Sequence, residues 1–285
     1  MTDTVKLKRC LDTLAAEYGT CFLDSDPVSV VHEYPEPQDR EIAGFVVSVL
    51  AYGGAGQIKT SARAVLGRAG KSPSEFVLGL TPGRALSAFR SFRHRWTGGG
   101  DMAFVFWILG NIIGEYGSIG ALVRNLDTPS DPTIGGVMSR FSEWITARYS
   151  SRFRTGSSRQ NISYLIPSPS NGSACKRLAM YFRWMVRGPD GVDFGLWRFI
   201  SPSRLVIPVD RHIARMAVCL GLTGRSSPDW NMALEITEAL RRLDPDDPVR
   251  YDFALVRPGI LRKCAPPKTG DCLSCLLREV CREAS

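Results

Sequence analysis

Long apolar runs are missing from this chain. Nothing approaches the roughly 18 to 20 apolar residues that a membrane-crossing helix requires. The longest candidates, Ile42–Ala51 and Met102–Ile113, are too short and are interrupted by glycine. The opening MTDTVKLKRC has no apolar core of a secretory signal, so a cytoplasmic location, without membrane attachment, is expected. Alternating strand patterns are absent too, which removes β-sandwich and barrel classes. Histidine is scarce, with 3 residues, and none follows His212. A zinc site built from cysteine and histidine pairs therefore lacks its second half. No internal repeat or low-complexity tail is present.

What remains is a chain of 285 residues with 44% hydrophobic content, enough for one large core or two lobes. Its 36 Lys and Arg against 28 Asp and Glu leave a net charge of +8 and a pI near 9.2. That balance favours an anionic partner, most commonly nucleic acid. Helical periodicity runs nearly throughout. The expected helices are Val5–Tyr18, Asp39–Leu50, Thr60–Arg68, Pro73–Leu80, Leu86–His94 and Ala103–Tyr116. Ile134–Arg148, Ala174–Arg187, Arg211–Leu220, Trp230–Arg242 and Pro248–Leu261 complete the set. The expected fold class is all-α. Thr128–Thr133 and Ser150–Ser173 read as long loops.

Disulfides are rare in a reducing compartment, so the 8 cysteines need another account. Cys10, Cys21, Cys175 and Cys219 are scattered and read as small buried apolar residues. Cys264, Cys272, Cys275 and Cys281 instead cluster at the C-terminal end, spaced x7, x2 and x5. Soft thiolates at such separations can surround one metal centre. Zinc and unligated thiols remain open alternatives. Lys263, Lys268, Arg278 and Arg282 interleave with the quartet and suit contact with phosphate.

Two ordered motifs carry a resemblance. The cysteine pattern resembles the cluster loop of the endonuclease III branch of the helix-hairpin-helix DNA glycosylases, departing by one residue in its first gap. Upstream, Pro208-Val209-Asp210-Arg211-His212-Ile213-Ala214-Arg215 is similar to that family's VDTHIxR segment. The resemblance covers about the last third of the chain. It implies a two-lobed fold, with 36–205 as a helical barrel and divergent hairpin region. The cluster lobe would be 206–285 joined by the N-terminal 1–35. It further implies a 4Fe–4S cluster on the four cysteines and a monomer acting on double-stranded DNA with a damaged base.

Asp210, at the head of an apolar helix, is a good N-cap on its own terms. In the resembling family the Asp at this position is also the catalytic carboxylate. The glycine-rich hairpin LPGVGxKTA that carries the family's lysine is absent. Lys176-Arg177-Leu178-Ala179-Met180-Tyr181-Phe182 instead resembles the lysine helix of archaeal 8-oxoguanine glycosylases, and Lys176 lies 34 residues before Asp210. That resemblance implies Lys176 as the Schiff-base nucleophile, an accompanying AP-lyase step, and an oxidised purine as substrate. A solvated lysine at a helix start is the plainer reading.

Trp184, Phe194 and Trp197 are candidates to stack on an extruded base, against the alternative of core packing. Gln57 follows the Tyr52–Gly56 turn, where related glycosylases place a base-reading or gap-filling Gln. Arg93 and Arg95, within a basic run that includes Arg90 and His94 and interleaves Phe89, Phe92 and Trp96, suit a nucleic-acid surface. Two other functions stay open: a non-catalytic, cluster-containing nucleic-acid sensor, and an RNA-acting enzyme on the same scaffold.

Overall fold

Leucines at 7, 11 and 14 form the buried stripe of α1 (Thr4–Glu17). Asp3 caps it by accepting from the backbone N–H groups of Val5 and Lys6. The computed structural model describes residues 3–149, 159–261, 264, 272 and 274–283. Two short 3₁₀ turns, Thr20–Ser25 and Pro27–Glu33, lead into α2 (Pro37–Val49), α3 (Ala55–Ala69), α4 (Pro73–Val77) and α5 (Pro82–Phe89). A two-stranded hairpin, β1 (Arg93–His94) with β2 (Thr97–Gly98), precedes α6 (Gly99–Tyr116) and α7 (Ile119–Leu126). Then come α8 (Gly135–Ala147), α9 (Arg159–Leu165), α10 (Lys176–Val186), α11 (Arg211–Leu220) and α12 (Trp230–Arg241). The short α13 (Asp252–Leu255) and α14 (Arg257–Ile260) close the series. Among the described residues the fold is all-α apart from that small hairpin. No single helix among the described residues is long and apolar enough to cross a membrane.

α2 is the hub. Every residue from Glu41 to Val49 is buried, as expected of a helix apolar all round. It contacts α3, α4, α7 and α10. Gly44 permits the close approach of α10: a Cβ there would fall 2.8 Å from Met185 Cε and 3.2 Å from Tyr181 Cε2. The Glu41 carboxylate accepts from the N–H of Ile119 at 2.8 Å, of Gly120 at 3.2 Å, and from Trp197 Nε1 at 2.6 Å. It thus caps α7 from inside the core, and burial raises its pKa above the usual carboxylate value. One continuous apolar core runs from Leu7 to Val280, and α1 packs on α13 and on the turn Arg278–Val280.

Several expectations need correction. Leu86–His94 is not one helix: α5 ends at Phe89 and the chain turns into the hairpin. His94 is buried there, its Nε2 donating to the Tyr52 carbonyl at 3.1 Å and its Nδ1 accepting from Ser61 Oγ at 2.8 Å. The Ser150–Ser173 stretch contains α9 and a 3₁₀ turn, Pro169–Asn171; its residues 150–158 lie outside the described residues. Pro248–Leu261 splits into α13 and α14, because Pro258 lacks the N–H that would continue a single helix.

Candidate active site at the start of α10

Cys175 precedes α10 with φ of +48°, a left-handed conformation that side chains rarely adopt. Strain of this kind tends to persist where surrounding structure enforces it. The Cys175 thiol is buried, bonds the Pro167 carbonyl, and is pushed up to about 12 by burial. It is therefore no nucleophile near neutral pH. The turn delivers Lys176 to the first position of α10.

Across from it, Asp210 caps α11. Its Oδ1 accepts from the N–H of His212 at 2.8 Å and of Ile213 at 2.9 Å. Its Oδ2 lies 3.6 Å from Lys176 Nζ, with the two side chains 34% and 21% exposed. The two candidates thus meet, half-buried and open to solvent on one side. One oxygen is occupied by the cap while the other faces the amine. His212 packs closely against Gly259 of α14, and burial, aided by Arg211, Lys176 and Arg215, holds its pKa below the usual imidazole value.

Arg183 lies two turns along α10 from Lys176, on the same face. It is buried and reaches Asp193 at 3.1 Å and Asp252 at 2.5 Å. Arg187 continues the network to Asp190 and Asp193 at 2.6 Å and to Asp247 at 2.7 Å. These carboxylates hold the segment after α10 inward. Phe194 N–H and Trp197 N–H also bond the carbonyls of Trp184 and Met185, each at 2.8 Å.

That packing corrects the base-stacking expectation for three aromatics. Trp184, Phe194 and Trp197 are 2%, 8% and 1% exposed. Trp197 is tied to Glu41, and Phe194 lies against His32 and under Arg40. They are core side chains, closed to a nucleobase in this structure.

Gln57, Arg93 and Arg95 are exposed and gather near the α2–α3 turn. A Cβ on Gly53, whose φ is +105°, would sit 3.0 Å from Arg95 Nη1 and 3.5 Å from Gln57 Oε1. Arg93 Nε donates to the Arg95 carbonyl at 3.2 Å. Beside them the structure assembles an aromatic patch of which the sequence singles out only Trp96. Tyr52 stacks on Trp96 with centroids 5.3 Å apart and planes 14° apart. Tyr164 of α9 meets both edge-on at 6.1 Å. Arg177, next after Lys176, lies 5.5 Å from the Tyr52 ring centroid and 4.5 Å from that of Tyr164. Its guanidinium donates to the carbonyls of Tyr164 and Val49. The first turn of α10 therefore carries Lys176, which meets Asp210 at the cap of α11, and Arg177, which underpins an aromatic patch. The available signals are Trp96 in the basic run and Tyr52 next to a Gly-rich turn; Tyr164 lies in a stretch that reads as loop.

Burial raises the Cys264 thiol, and Cys275, Cys281 and Cys272 raise it further. Arg215 Nη1 donates to the Cys264 carbonyl at 2.8 Å, and Arg282 N–H to the Cys219 carbonyl at 2.8 Å, tying the segment to α11. Among the described residues no three His, Cys, Asp or Glu side chains are gathered closely enough to hold a metal ion. The donor set, four soft thiols with Arg215 alongside, nonetheless has the chemistry an iron–sulfur cluster takes.

No curated protein and no solved structure matches the chain. One family model does, over residues 26–261, a span that includes Lys176, Asp210 and the aromatic patch and ends before Cys264. The chain belongs to that family, DUF2400, described as a protein of unknown function.

Proposed function

We propose that this protein is a DNA base-excision glycosylase with an accompanying AP-lyase step. The observation that carries the reading is the Lys176 Nζ to Asp210 Oδ2 separation of 3.6 Å, with Oδ1 fixed by the cap. An amine and a carboxylate brought together at a solvent-open edge form a nucleophile–base pair. Lys176 attacks C1′ of the damaged nucleotide, and the C1′–N bond electrons leave with the base. Asp210 Oδ2 takes the proton from the attacking nitrogen and offsets positive charge on the sugar. The Lys176 nitrogen lone pair then breaks the C1′–O4′ bond, O4′ takes the proton back from Asp210 Oδ2, and a protonated imine is left between Lys176 and C1′. Duplex DNA carrying an oxidised purine such as 8-oxoguanine is the proposed substrate, following the resemblance of the Lys176 helix.

The four C-terminal cysteines would hold a 4Fe–4S cluster. Its role when bound is structural, since C–N bond cleavage needs no redox turnover. The effect of Cys272, Cys275 and Cys281 on the Cys264 thiol supports that assignment. Iron and sulfide content, with visible absorption of protein purified without oxygen, tests it.

The catalytic test is borohydride trapping on a lesion panel. Wild type is expected to form a covalent protein–DNA adduct and release base, and Lys176→Ala to lose the adduct. DNA binding without release or adduct on any lesion would favour the non-catalytic binding protein. Preference for structured RNA over duplex at fixed salt would favour the RNA enzyme.

A further inference from the structure

We propose that Tyr52, Trp96 and Tyr164 form a stacking platform for an unpaired DNA base, with Arg93 and Arg95 meeting the adjoining phosphates. This rests on the nucleic-acid reading above and adds where the protein grips a base outside the duplex stack.

Trp96 is 57% exposed and Tyr164 is 45% exposed. Single exposed apolar side chains are ordinary, but these two touch each other and share Tyr52 as a neighbour. The patch is braced from behind. Tyr52 Oη bonds the His94 carbonyl at 2.9 Å and Thr97 Oγ1. Arg177 holds the inner side of Tyr52 and Tyr164. Arg95 has φ of +56° at the hairpin turn, a strained conformation, and its guanidinium lies 4.8 Å from the Trp96 ring centroid. The rings are thus fixed before any partner arrives, which lowers the ordering cost of binding.

Charge selects the occupant. Arg93 and Arg95 are exposed on this hairpin, as is Arg90 at the end of α5, and none forms an ion pair with an acidic side chain among the described residues. An aromatic surface rimmed by unpaired guanidinium groups matches a nucleobase with its flanking phosphates. The N-terminus of α10, with Lys176 one residue from Arg177, adjoins the platform.

The experiment uses the full-length protein carrying Lys176→Gln, so that binding is read without turnover. One probe is a duplex with a single bulged 2-aminopurine; the other is the same duplex fully paired. The parent is expected to quench 2-aminopurine and to prefer the bulged duplex. Trp96→Ala should weaken binding to the bulged duplex about tenfold, the scale of one base–aromatic stack, and leave the paired duplex nearly unchanged. Trp96→Phe should retain the preference. Arg93→Ala and Arg95→Ala should weaken both duplexes and flatten the salt dependence. Tyr164→Ala is the second variant should Trp96→Ala fail to fold.

Unchanged discrimination in Trp96→Ala and Tyr164→Ala overturns the platform, as does equal binding of the two duplexes or no DNA binding. The glycosylase reading fails separately. Quenching that persists in a protein releasing no base from any lesion removes the enzyme and keeps the platform. Base release without a Trp96-dependent preference does the reverse.

Discussion

Replacing Asp210 with Asn separates two jobs that the structure gives to one carboxylate. Oδ1 accepts from the backbone N–H groups of His212 and Ile213 at 2.8 and 2.9 Å, and Oδ2 faces Lys176 Nζ at 3.6 Å. Asn places an equivalent oxygen on the cap and an NH₂ toward the lysine. Because Asn and Asp cap almost equally well, Asp210→Asn should change stability by only a few tenths of a kcal/mol, whereas Asp210→Ala should lose about 1 kcal/mol. The Lys176–Asp210 attraction adds little, about 0 to 1 kcal/mol, because both side chains are partly exposed and solvent-screened. In a chain of this size, the Ala variant should melt about 2 to 4 °C lower and the Asn variant close to wild type.

Chemistry should behave in the opposite way. The Asn side chain cannot accept a proton, so base release should fall about 10² to 10⁴-fold, the usual worth of a positioned acid or base. The assay is thermal melting paired with single-turnover base release and borohydride trapping, in wild type, Asn and Ala variants. An Asn variant that melts as low as Ala would show that Oδ1 does not hold the cap. An Asn variant that releases base at the wild-type rate would remove the carboxylate from the mechanism, whatever its structural role.

Three more expectations concern the scaffold. Glu41→Ala strips the acceptor from three buried donors, the N–H groups of Ile119 and Gly120 and the Trp197 indole. At about 1 to 3 kcal/mol per unsatisfied group, urea denaturation should show a loss of at least 3 kcal/mol, and Glu41→Gln should lose less. Arg183→Leu leaves Asp193 and Asp252 buried with one cation fewer; a loss of about 3 to 5 kcal/mol is expected, and a loss under 1 kcal/mol would contradict the placement. His94 has its pKa lowered, by burial first and by Arg95, because its ring is buried in a neutral hydrogen-bonded form. Its unfolded form takes up a proton below 6.5 while the folded form resists, so stability is full above 6.5 and declines as pH falls below it. Melting temperature measured from pH 8 to 5 should show that decline, and His94→Gln should flatten it.

The two helix starts at Lys176 and Asp210 were legible because each is written locally, whereas pairing the two side chains rested on the family resemblance. Asp210 is a capping residue before Ile213, Met216, Ala217 and Leu220 at helical spacing. What was not legible is which side chains face inward. α10 is buried on almost every side, with Leu178, Tyr181, Phe182, Trp184 and Met185 all in the core, so aromatic spacing on it says nothing about a binding face. Trp197 is drawn in by two non-local bonds, its indole to Glu41 and its backbone to Met185. The exposed patch, of which the basic run names only Trp96, is hidden as a unit for the converse reason. Tyr52, Trp96 and Tyr164 come from a helix–helix turn, a hairpin and α9, and only the tertiary fold makes them neighbours. The hairpin itself is held by His94, whose buried bonds cannot be read from a basic run.

The charges around the pair argue for the same kind of partner as the net charge does. The N-termini of α10 and α11 meet at Lys176 and Asp210, so two sets of partly unsatisfied N–H groups point toward one place. Arg177 and Arg211 add positive charge on the first turns and Arg215 on the next, and burial holds the His212 pKa below its ordinary value. Behind them Asp252 is within electrostatic reach of the pair, but it is buried and bonded to Arg183. Asp210 stands at the solvent-facing edge of this junction, and its charge is largely used by the cap and the lysine. A phosphate backbone arriving there meets positive potential on both sides. Neutralising Asp210 should raise affinity for undamaged duplex while lowering base release. Anisotropy titration of Asp210→Asn against wild type at matched salt reads that opposition. A parallel fall in affinity and activity would mean that Asp210 holds the DNA-binding surface together rather than acting on the sugar.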